Sequence, residues 1–421
     1  MNCRHCETEL HHVFADLGHC PPSNSMLSAQ QLEEPELHYP LKTYVCHNCF
    51  LVQIGEVKKA ADIFGAEYTY FSSYSSSWLN HAKRYVDMMM TRFGYTQDSL
   101  VIEAASNDGY LLQYFQEYGV PVLGIDPTAN TARIAAGKGI RTLVDFFTTK
   151  LARELASADQ KADLIIGNNV LAHVPDINDF VGGMHVALKP GGVVTMEFPH
   201  LLNLVEKCQF DTIYHEHYSY LSLSTVNRIF ASQGLTVFDL EELPTHGGSL
   251  RIFARHTTDA AKPVTEAVRA LLAREREAGM LTLEYYQDFQ PRIDTVRTDL
   301  LGFLLEQKRL GKRVAGYGAA AKGNTLINYC GIQGTGLIEF VADVSPYKQN
   351  KYLPGSHIPV LAADLIREKQ PDYVLILPWN LREEIAERLG FISEWGGQFV
   401  VAIPELEVYS HAPSTSRVAQ V

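Results

Sequence analysis

The stretch from Asp211 to Tyr220 is dense in side chains that exchange protons or donate hydrogen bonds. It reads Asp-Thr-Ile-Tyr-His-Glu-His-Tyr-Ser-Tyr, where a strand or helix of this length would need an apolar repeat. Two imidazoles flank a carboxylate, which together supply a general base near neutral pH, a group to orient it, and donors for a developing oxyanion. A polar loop or a His-x-His metal pair is the alternative, but four such groups in a row favour an active site.

Length and composition indicate a multidomain protein of ordinary globular type. The chain has 421 residues, 46% of them hydrophobic and 20% charged, enough for about three domains at ~150 residues each. It contains no apolar run of ~18 residues and opens without a signal-like segment, so we expect a cytoplasmic protein with no membrane partner. The net charge of -12 argues against wholesale binding of nucleic acid.

Four of the seven cysteines form two Cys-x-x-Cys pairs about forty residues apart. Each pair can direct two thiolates at one ion, and two pairs complete a tetrahedral shell that has no open position. We therefore predict one structural Zn²⁺ ion in a domain that serves as a scaffold or lid, and few basic residues lie between the pairs to favour nucleic-acid binding. The predicted ligands are Cys3, Cys6, Cys46 and Cys49.

The segment from Glu67 to Trp78 is rich in tyrosine and serine, where a linker would be rich in glycine, proline or charge. It is typical of a binding surface, and Tyr70 is its candidate substrate contact. A simple turn before a helix that begins near Trp78 is an equally good interpretation of the same pattern.

From Leu100 onward the chain alternates buried strands and helices. A strand over 100–104, a small-residue turn, a helix over 110–118 and a strand over 120–125 that ends at Asp126 follow the nucleotide-binding βαβ plan, in which the acid holds ribose hydroxyls. The Gly-x-Gly-x-x-Gly of dinucleotide enzymes is absent. Glu103-x-x-x-Asn107-x-Gly109 instead resembles the first motif of class I S-adenosylmethionine methyltransferases.

Three more strands are predicted, over 142–147, 162–169 and 191–198, and each ends in polar residues. Ligands of an open parallel sheet lie beyond the carboxyl ends of its strands, so these residues should converge on one cleft. They are Asp126, Asp145, Asn168, Asn169, His173 and His200.

A Gly-Gly turn at 247–248 leads into another predicted strand. Glycine permits a close backbone approach to a ligand and arginine can bind phosphate, so His246, Ser249 and Arg251 are candidate substrate contacts, although an ordinary hairpin is equally compatible. The following region, 263–309, has helical periodicity, and we expect most of its charges to face solvent.

A second nucleotide-binding unit begins near Arg313. The Gly-Tyr-Gly-Ala turn that follows enters a helix, whose free amides attract phosphate, and Lys322 and Asn324 are the candidate contacts. An NAD site is the alternative, because Asp343 follows the next strand. Lys322 fits a diphosphate better than it fits a dinucleotide fingerprint.

The motifs together resemble the nucleotide-sugar C-methyltransferases of deoxysugar pathways. The resemblance rests on the four cysteines, the Glu103 motif, Asn168-Asn169-Val-Leu-Ala-His173-Val, and Tyr214-His-Glu-His217-Tyr-Ser-Tyr. It implies transfer of a methyl group from S-adenosylmethionine to a ring carbon of a 4-keto-6-deoxyhexose on a nucleoside diphosphate, commonly dTDP. The active-site groups that it implies here are Tyr68, His173, Tyr214, Glu216 and His217, with His217 as the base. Cofactor contacts are expected from Glu103, Asn107, Gly109, Asp126, Asp145, Phe146 and Asn169.

The sequence thus predicts an α/β protein in three segments, and the resemblance implies methylation at C-3, alpha to the ketone. These are a zinc-binding domain over 1–75, a class I methyltransferase core with a Rossmann-like sheet over 76–258, and a helical linker with a Rossmann-like nucleotide-sugar domain over 259–421. We expect a monomer. The alternatives are a zinc-ribbon RNA-modifying methyltransferase, which needs a basic face, and a non-catalytic nucleotide-binding scaffold.

Overall fold

The computed structural model describes residues 1–56 and 71–410. The chain forms two compact units, each assembled from separated segments. Unit 1 comprises Met1–Phe14, Thr43–Leu202 and Glu216–Gln287, and unit 2 comprises Ala15–Lys42, Asn203–His215 and Asp288–Val421.

The regular elements of the described residues are labelled in chain order. The strands are β1 His12–Cys20, β2 Tyr39–Val45, β3 Val52–Ile54, β4 Val101–Ala104, β5 Val122–Ile125, β6 Thr142–Leu143, β7 Ala162–Asn168, β8 Leu188–Pro199, β9 Ser219–Tyr220, β10 Leu235–Leu243, β11 Ser249–His256, β12 Val314–Tyr317, β13 Val341–Asp343, β14 Lys351–Tyr352, β15 Pro359–Ala362, β16 Tyr373–Ile376, β17 Gln398–Val401 and β18 Glu407–Tyr409. The helices are α1 Ser76–Phe93, α2 Leu112–Glu117, α3 Ala129–Gly137, α4 Thr149–Ser157, α5 Ile177–Ala187, α6 Leu201–Glu206, α7 Leu223–Ser232, α8 Glu266–Glu277, α9 Glu284–Gln287, α10 Phe289–Arg309, α11 Ala321–Tyr329, α12 Leu365–Lys369 and α13 Arg382–Arg388.

Unit 1 is built on a seven-stranded sheet of order β10-β11-β8-β7-β4-β5-β6. Strands β8, β7, β4, β5 and β6 run parallel, and β11 and β10 add an antiparallel edge. All four residues of β4 are buried, as expected for a strand covered by helices on both faces. The carboxyl ends of the five parallel strands therefore share one edge of the sheet.

The cysteine-bearing segments belong to the core of unit 1. Cys3, Cys46 and Cys49 lie in the same cluster of buried residues as Ile102 of β4 and Val194 of β8. A continuous apolar core argues for a scaffold role and against a detached lid. Strand β3 also pairs antiparallel with β9, the strand that directly follows the predicted active-site residues Glu216 and His217.

Local signals set the ends of several helices. Ser75 accepts a hydrogen bond from Trp78 N at the start of α1, and Gly94 ends that helix in the left-handed region with a φ of 65°. Thr148, Asp176 and Ser222 cap α4, α5 and α7 in the same way as Ser75 caps α1. Helix α1 thus begins within two residues of the Trp78 start that the sequence predicts.

Unit 2 carries its own seven-stranded sheet, of order β14-β15-β13-β12-β16-β17-β18. Its strands β15, β13, β12, β16 and β17 are parallel, and β14 and β18 pair antiparallel at the two edges. This sheet is the Rossmann-like arrangement that the carboxyl-terminal sequence predicts. Across residues 1–56 and 71–410, no helix is both long enough and apolar enough to cross a membrane.

Candidate active site

The four predicted zinc ligands meet at one point. Their sulfur atoms all lie within 4.8 Å of one another, with Cys3 and Cys49, and likewise Cys6 and Cys46, separated by 3.5 Å between Sγ atoms. Tetrahedral thiolates around zinc, at about 2.3 Å from the ion, are ~3.8 Å apart, so the donor set fits a Zn²⁺ ion. The cluster fits a closed structural site because it supplies all four ligands.

The two cysteine turns have the same backbone geometry. The amide of Glu7 donates to Cys3 O at 3.0 Å, and the amide of Phe50 donates to Cys46 O at 2.9 Å. Both Glu7 and Phe50 have positive φ, of 59° and 60°. Gln53 Nε2 also donates to Cys3 Sγ at 3.2 Å, which helps to balance the charge of a thiolate ligand.

The predicted cofactor residues lie along the carboxyl edge of the unit 1 sheet. Glu103 near the end of β4 is buried, and burial raises its pKa well above the ordinary value. Asp126 follows β5, and its Oδ2 accepts a hydrogen bond from Asn107 N at 2.8 Å. Gly109 has a φ of 75°, and a Cβ there would meet Ile140 Cδ1 at 2.4 Å, so the turn requires glycine.

The remaining cofactor candidates occupy the ends of the neighbouring strands. Strand β6 has two residues where six were predicted, so Asp145 and Phe146 lie in the loop beyond it, with Asp145 exposed. Asn169 follows β7 with a φ of 52°. Asn168 is buried, and neither polar atom of its amide has a hydrogen-bond partner within the described part of the chain. An unsatisfied buried amide at this edge fits a bound polar ligand.

We expect Asp126→Ala to weaken binding of S-adenosylmethionine at least tenfold. The carboxylate both holds the Asn107 turn and, in our interpretation, accepts the ribose hydroxyls, and a charged hydrogen bond contributes ~1.5–3 kcal/mol. Isothermal calorimetry checks this, with Glu154→Ala, an exposed carboxylate of α4, as the control. Unchanged affinity for the cofactor would require a different acid to hold the ribose.

The structure brings His173 and His217 together. Their ring centroids are 4.5 Å apart at an interplanar angle of 76°. Two backbone hydrogen bonds hold the residue after His217 in place. Tyr218 N donates to Ala172 O at 2.7 Å, and Ile54 N donates to Tyr218 O at 3.1 Å. His217 is only partly buried, so its imidazole can be reached by a substrate.

Tyr214 and Glu216 fall on different sides of the division between the units. The chain leaves unit 2 after His215 and enters unit 1 at Glu216. Glu216 is buried and Tyr214 is half-buried. The other two predicted tyrosines, Tyr68 and Tyr70, lie outside the described residues.

Burial lowers the pKa of His173 from 6.5 to about 4, although the backbone of Glu216 acts in the opposite direction. His173 is therefore a neutral imidazole at pH 7 and can donate one hydrogen bond to a substrate oxygen. The folded state binds a proton here more weakly than the unfolded state does, so this group destabilises the fold as the pH falls from about 6.5 to 4.

We accordingly expect His173→Asn to flatten the acid side of the stability curve. The loss attributable to His173 approaches ~3 kcal/mol below pH 4. Denaturant unfolding at pH 7.5, 5 and 4 measures it, and His11→Asn, which removes an exposed histidine, is the control. An identical pH slope in wild type and His173→Asn would show that His173 is protonated in the folded state as readily as in the unfolded chain.

Residues that the sequence analysis did not select complete this edge of unit 1. Glu197 of β8 is fully buried and lies against His81 of α1 with a Nε2–Oε2 distance of 2.8 Å. His81 stacks on Trp78 at 4.9 Å between ring centroids. The signal in the sequence was Glu197, the one charged residue in the run Val-Val-Thr-Met-Glu-Phe.

The predicted substrate residues of unit 1, His246, Ser249 and Arg251, all have partners within the protein. His246 contacts Asn169, with Nε2 and Nδ2 3.0 Å apart. Arg251 is buried and ion-paired with Glu197 and Glu241, so its charge is already balanced, which weighs against the predicted phosphate contact. Ser249 Oγ is 3.0 Å from Thr245 O.

In unit 2, Lys322 lies near the start of α11. Its Nζ donates to Asn380 Oδ1 at 2.7 Å and lies 4.6 Å from the ring centroid of Trp379. Trp379 Nε1 donates to Asp211 Oδ2 at 2.8 Å. Burial raises the pKa of Asp211 to about 6, and the charge of Lys322 opposes this rise.

Asn324, one turn of α11 beyond the Gly318 turn, is fully buried. Neither of its side-chain polar atoms has a partner within the described part of the chain, which fits a contact with a polar ligand. Asp343 at the end of β13 accepts from Ala319 N at 2.7 Å, the arrangement that Asp126 makes with Asn107 in unit 1.

The sheet order of unit 1, the acid after β5 and the glycine turn after β4 define a class I methyltransferase that uses S-adenosylmethionine. Three family models match consecutive segments: a zinc-binding domain at residues 3–64, a methyltransferase domain at residues 80–240 and a C-methyltransferase C-terminal domain at residues 244–404. The C-methyltransferase NovU of Streptomyces niveus is 36% identical over 408 residues, covering 97% of this chain and 96% of that protein. The chain belongs to this C-methyltransferase family.

Two further similarities each cover part of the chain. A ubiquinone biosynthesis O-methyltransferase of Bradyrhizobium is 28% identical over 99 residues, which cover 23% of this chain and 38% of that enzyme. The solved structure of the PH0226 protein from Pyrococcus horikoshii is 17% identical, covers 47% of this chain and 99% of its own, and superposes with a TM-score of 0.38.

Proposed function

We propose that the protein methylates a ring carbon of a 4-keto-6-deoxyhexose linked to a nucleoside diphosphate, commonly dTDP, at C-3 alpha to the ketone. The observation that carries the proposal is the His173–His217 pair at the carboxyl edge of a methyltransferase sheet. A chain that methylates carbon needs a group to remove a proton and a donor to steady the resulting oxyanion. The pair supplies one residue for each task.

His217 is the proposed base. A general base works best when its ordinary pKa lies near the operating pH, and imidazole meets that condition without a special environment. Its partly exposed ring admits a substrate, whereas Glu216 beside it is buried. His217 therefore takes the proton from the carbon alpha to the ketone, which leaves an enolate.

His173 and Tyr214 are the proposed donors to the enolate oxygen, with Tyr68 as a further candidate. His173 is suited to this because its low pKa keeps the ring neutral at pH 7, with one N–H to donate. S-adenosylmethionine, when bound, supplies the electrophilic methyl group that the enolate carbon accepts. Asp126 and Asn169 are the proposed contacts that hold the cofactor toward this edge.

The screen that tests the proposal offers dTDP-, GDP- and UDP-linked 4-keto-6-deoxysugars together with radiolabelled S-adenosylmethionine. We expect label in one of these sugars. A matched sugar whose C-4 ketone is reduced to a hydroxyl should take up no label, because its alpha proton is no longer acidic. Incorporation into bulk RNA with none into any sugar would favour the RNA-modifying alternative.

Lys322 and Asn324 of unit 2 are the proposed contacts to the diphosphate and nucleoside. We expect Lys322→Ala to raise the KM for the nucleotide sugar about tenfold, since charged hydrogen bonds to phosphate contribute ~1.5–3 kcal/mol. Steady-state kinetics with Lys308→Ala, an exposed lysine of α10, as control measure this. Unchanged KM together with binding of a nicotinamide cofactor would support the NAD alternative instead.

A further inference from the structure

Glu197 lies at the centre of a closed circuit of contacts at the carboxyl edge of unit 1. It lies two residues before the end of β8, and its side chain is fully buried. A carboxylate in this position costs free energy unless every oxygen is well partnered. Its partners therefore indicate what it does.

Three side chains surround the carboxylate. His81 Nε2 lies 3.0 and 2.8 Å from the two oxygens, Arg251 Nη2 donates to Oε2 at 2.8 Å, and Thr245 Oγ1 donates to Oε1 at 2.9 Å. Burial alone would raise the pKa of Glu197, but His81 and Arg251 outweigh it and the pKa is lowered. Glu197 is thus an anion in the folded protein.

Contacts of Glu197 and of its partners also reach residues of the predicted site. The backbone oxygen of Glu197 accepts from Asn169 N at 2.7 Å, and Thr245 directly precedes His246. Asn169 and His246 touch each other at 3.0 Å between Nδ2 and Nε2. The circuit closes through Trp78, whose ring meets His246 at 5.4 Å and His81 at 4.9 Å between centroids.

The two residues at the far side of the circuit have strained backbones. Asn169 has a φ of 52° and His246 a φ of 53°, in the left-handed region that costs non-glycine residues free energy. Strain of this kind persists only where surrounding contacts hold it, and it concentrates at functional sites. Glu197 contacts the backbone of one of these residues and the neighbour of the other.

We propose that Glu197 is a positioning residue for methyl transfer. Its carboxylate holds the strained His246 through Thr245, while its backbone oxygen, which is present with any side chain, holds Asn169. His81 and Arg251 keep the carboxylate charged, and Thr245 links it to the Gly-Gly turn. The inference rests on the proposed function, since Asn169 and His246 are taken as contacts to cofactor and acceptor. Glu197 itself touches neither reactant.

The kinetic test compares Glu197→Gln, Thr245→Val and Thr245→Ser with wild type. A small misplacement of reacting groups costs about 10²-fold in rate, so Glu197→Gln should lower kcat by about that factor and Thr245→Val about tenfold. The KM for S-adenosylmethionine should change less than about twofold, because Asn169 is held by the backbone oxygen of residue 197, which these substitutions keep. Thr245→Ser keeps the hydroxyl and should restore kcat, which a merely space-filling role for Thr245 would not require.

Glu241→Gln is the matched control, because Glu241 is the other, partly exposed carboxylate on Arg251. It should retain wild-type kcat. Wild-type kcat in both Glu197→Gln and Thr245→Val would overturn the proposal. An equal loss of kcat in Thr245→Ser and Thr245→Val would overturn it too, since the hydroxyl would then be irrelevant.

A spectroscopic measurement separates this inference from the proposed function, because it needs no acceptor. The chain has three tryptophans, and subtraction of the Trp78→Phe spectrum isolates the emission of Trp78, which stacks on His81. We expect Glu197→Gln to change that emission and Glu241→Gln to leave it unchanged. If Glu197→Gln alters the emission but wild type methylates no sugar, the proposed function fails and the contacts of Glu197 still stand. If Glu197→Gln leaves the emission unaltered, the inference itself is overturned.

Discussion

Cys46→Ser should cause the protein to lose its zinc and unit 1 to lose cooperative folding at 37 °C. Structural zinc sites contribute an apparent ~10–16 kcal/mol to small domains. Because the net stability of a typical domain is only ~5–15 kcal/mol, loss of the zinc ion removes most or all of it. The effect should spread beyond the cysteine turns, because Cys3, Cys46 and Cys49 share a core with strands of the methyltransferase sheet. Metal analysis and thermal unfolding followed by circular dichroism measure both consequences.

Cys330→Ser is the control for this substitution, since Cys330 is also buried but lies outside the four-cysteine cluster. It should retain one zinc ion per chain and unfold near the wild-type temperature. Wild-type protein purified without chelator and containing well under one zinc per chain would contradict the assignment. So would a Cys46→Ser variant that unfolds as wild type does.

His217→Asn should lower methylation by ~10²–10⁴-fold, the range attributed to a positioned general base. Asparagine fills a similar volume and still forms hydrogen bonds, but it cannot take a proton near neutral pH. Binding of S-adenosylmethionine should not change, because the proposed cofactor contacts are Asp126 and Asn169. Initial rates together with calorimetry measure the two effects separately.

Glu216→Gln and Tyr214→Phe discriminate between His217 and its neighbours. We expect these changes to lower the rate less than His217→Asn does, since the proposal makes neither residue the base. A His217→Asn variant with near wild-type methylation, beside an inactive Glu216→Gln or Tyr214→Phe, would assign proton removal to one of those residues instead.

Local spacing was sufficient to predict the zinc cluster and the order of the first strands. A Cys-x-x-Cys turn fixes the separation of its own thiolates, so the quartet of Cys3, Cys6, Cys46 and Cys49 is found together in the structure. The strands over 101–104 and 162–168 lie within about a residue of their predicted ends. Buried parallel strands read as continuous apolar runs, which makes them conspicuous in a sequence.

Contacts between residues far apart in the chain could not be predicted from local sequence patterns. Glu197 and His81 are 116 positions apart in the chain, and no local pattern pairs them. Glu275 lies in a region predicted to present its charges to solvent, yet it is fully buried with His200 at 2.7 Å between Nε2 and Oε1. Because its carboxylate also accepts from Leu223 N and Ser224 N at the start of α7, tertiary packing overrides the local pattern.

The position of the transferred methyl group distinguishes methylation of carbon next to a ketone from methylation of any other atom. Wild-type protein is incubated with S-adenosylmethionine labelled with ¹³C in the methyl group and with the nucleotide-linked 4-keto-6-deoxysugar that is active in the screen, and the product is analysed by two-dimensional NMR. We expect the labelled methyl to correlate with a ring carbon next to the ketone, and we expect this carbon to have lost its proton. A label attached to a hydroxyl oxygen, or to a ring carbon remote from the ketone, would contradict the proposed function.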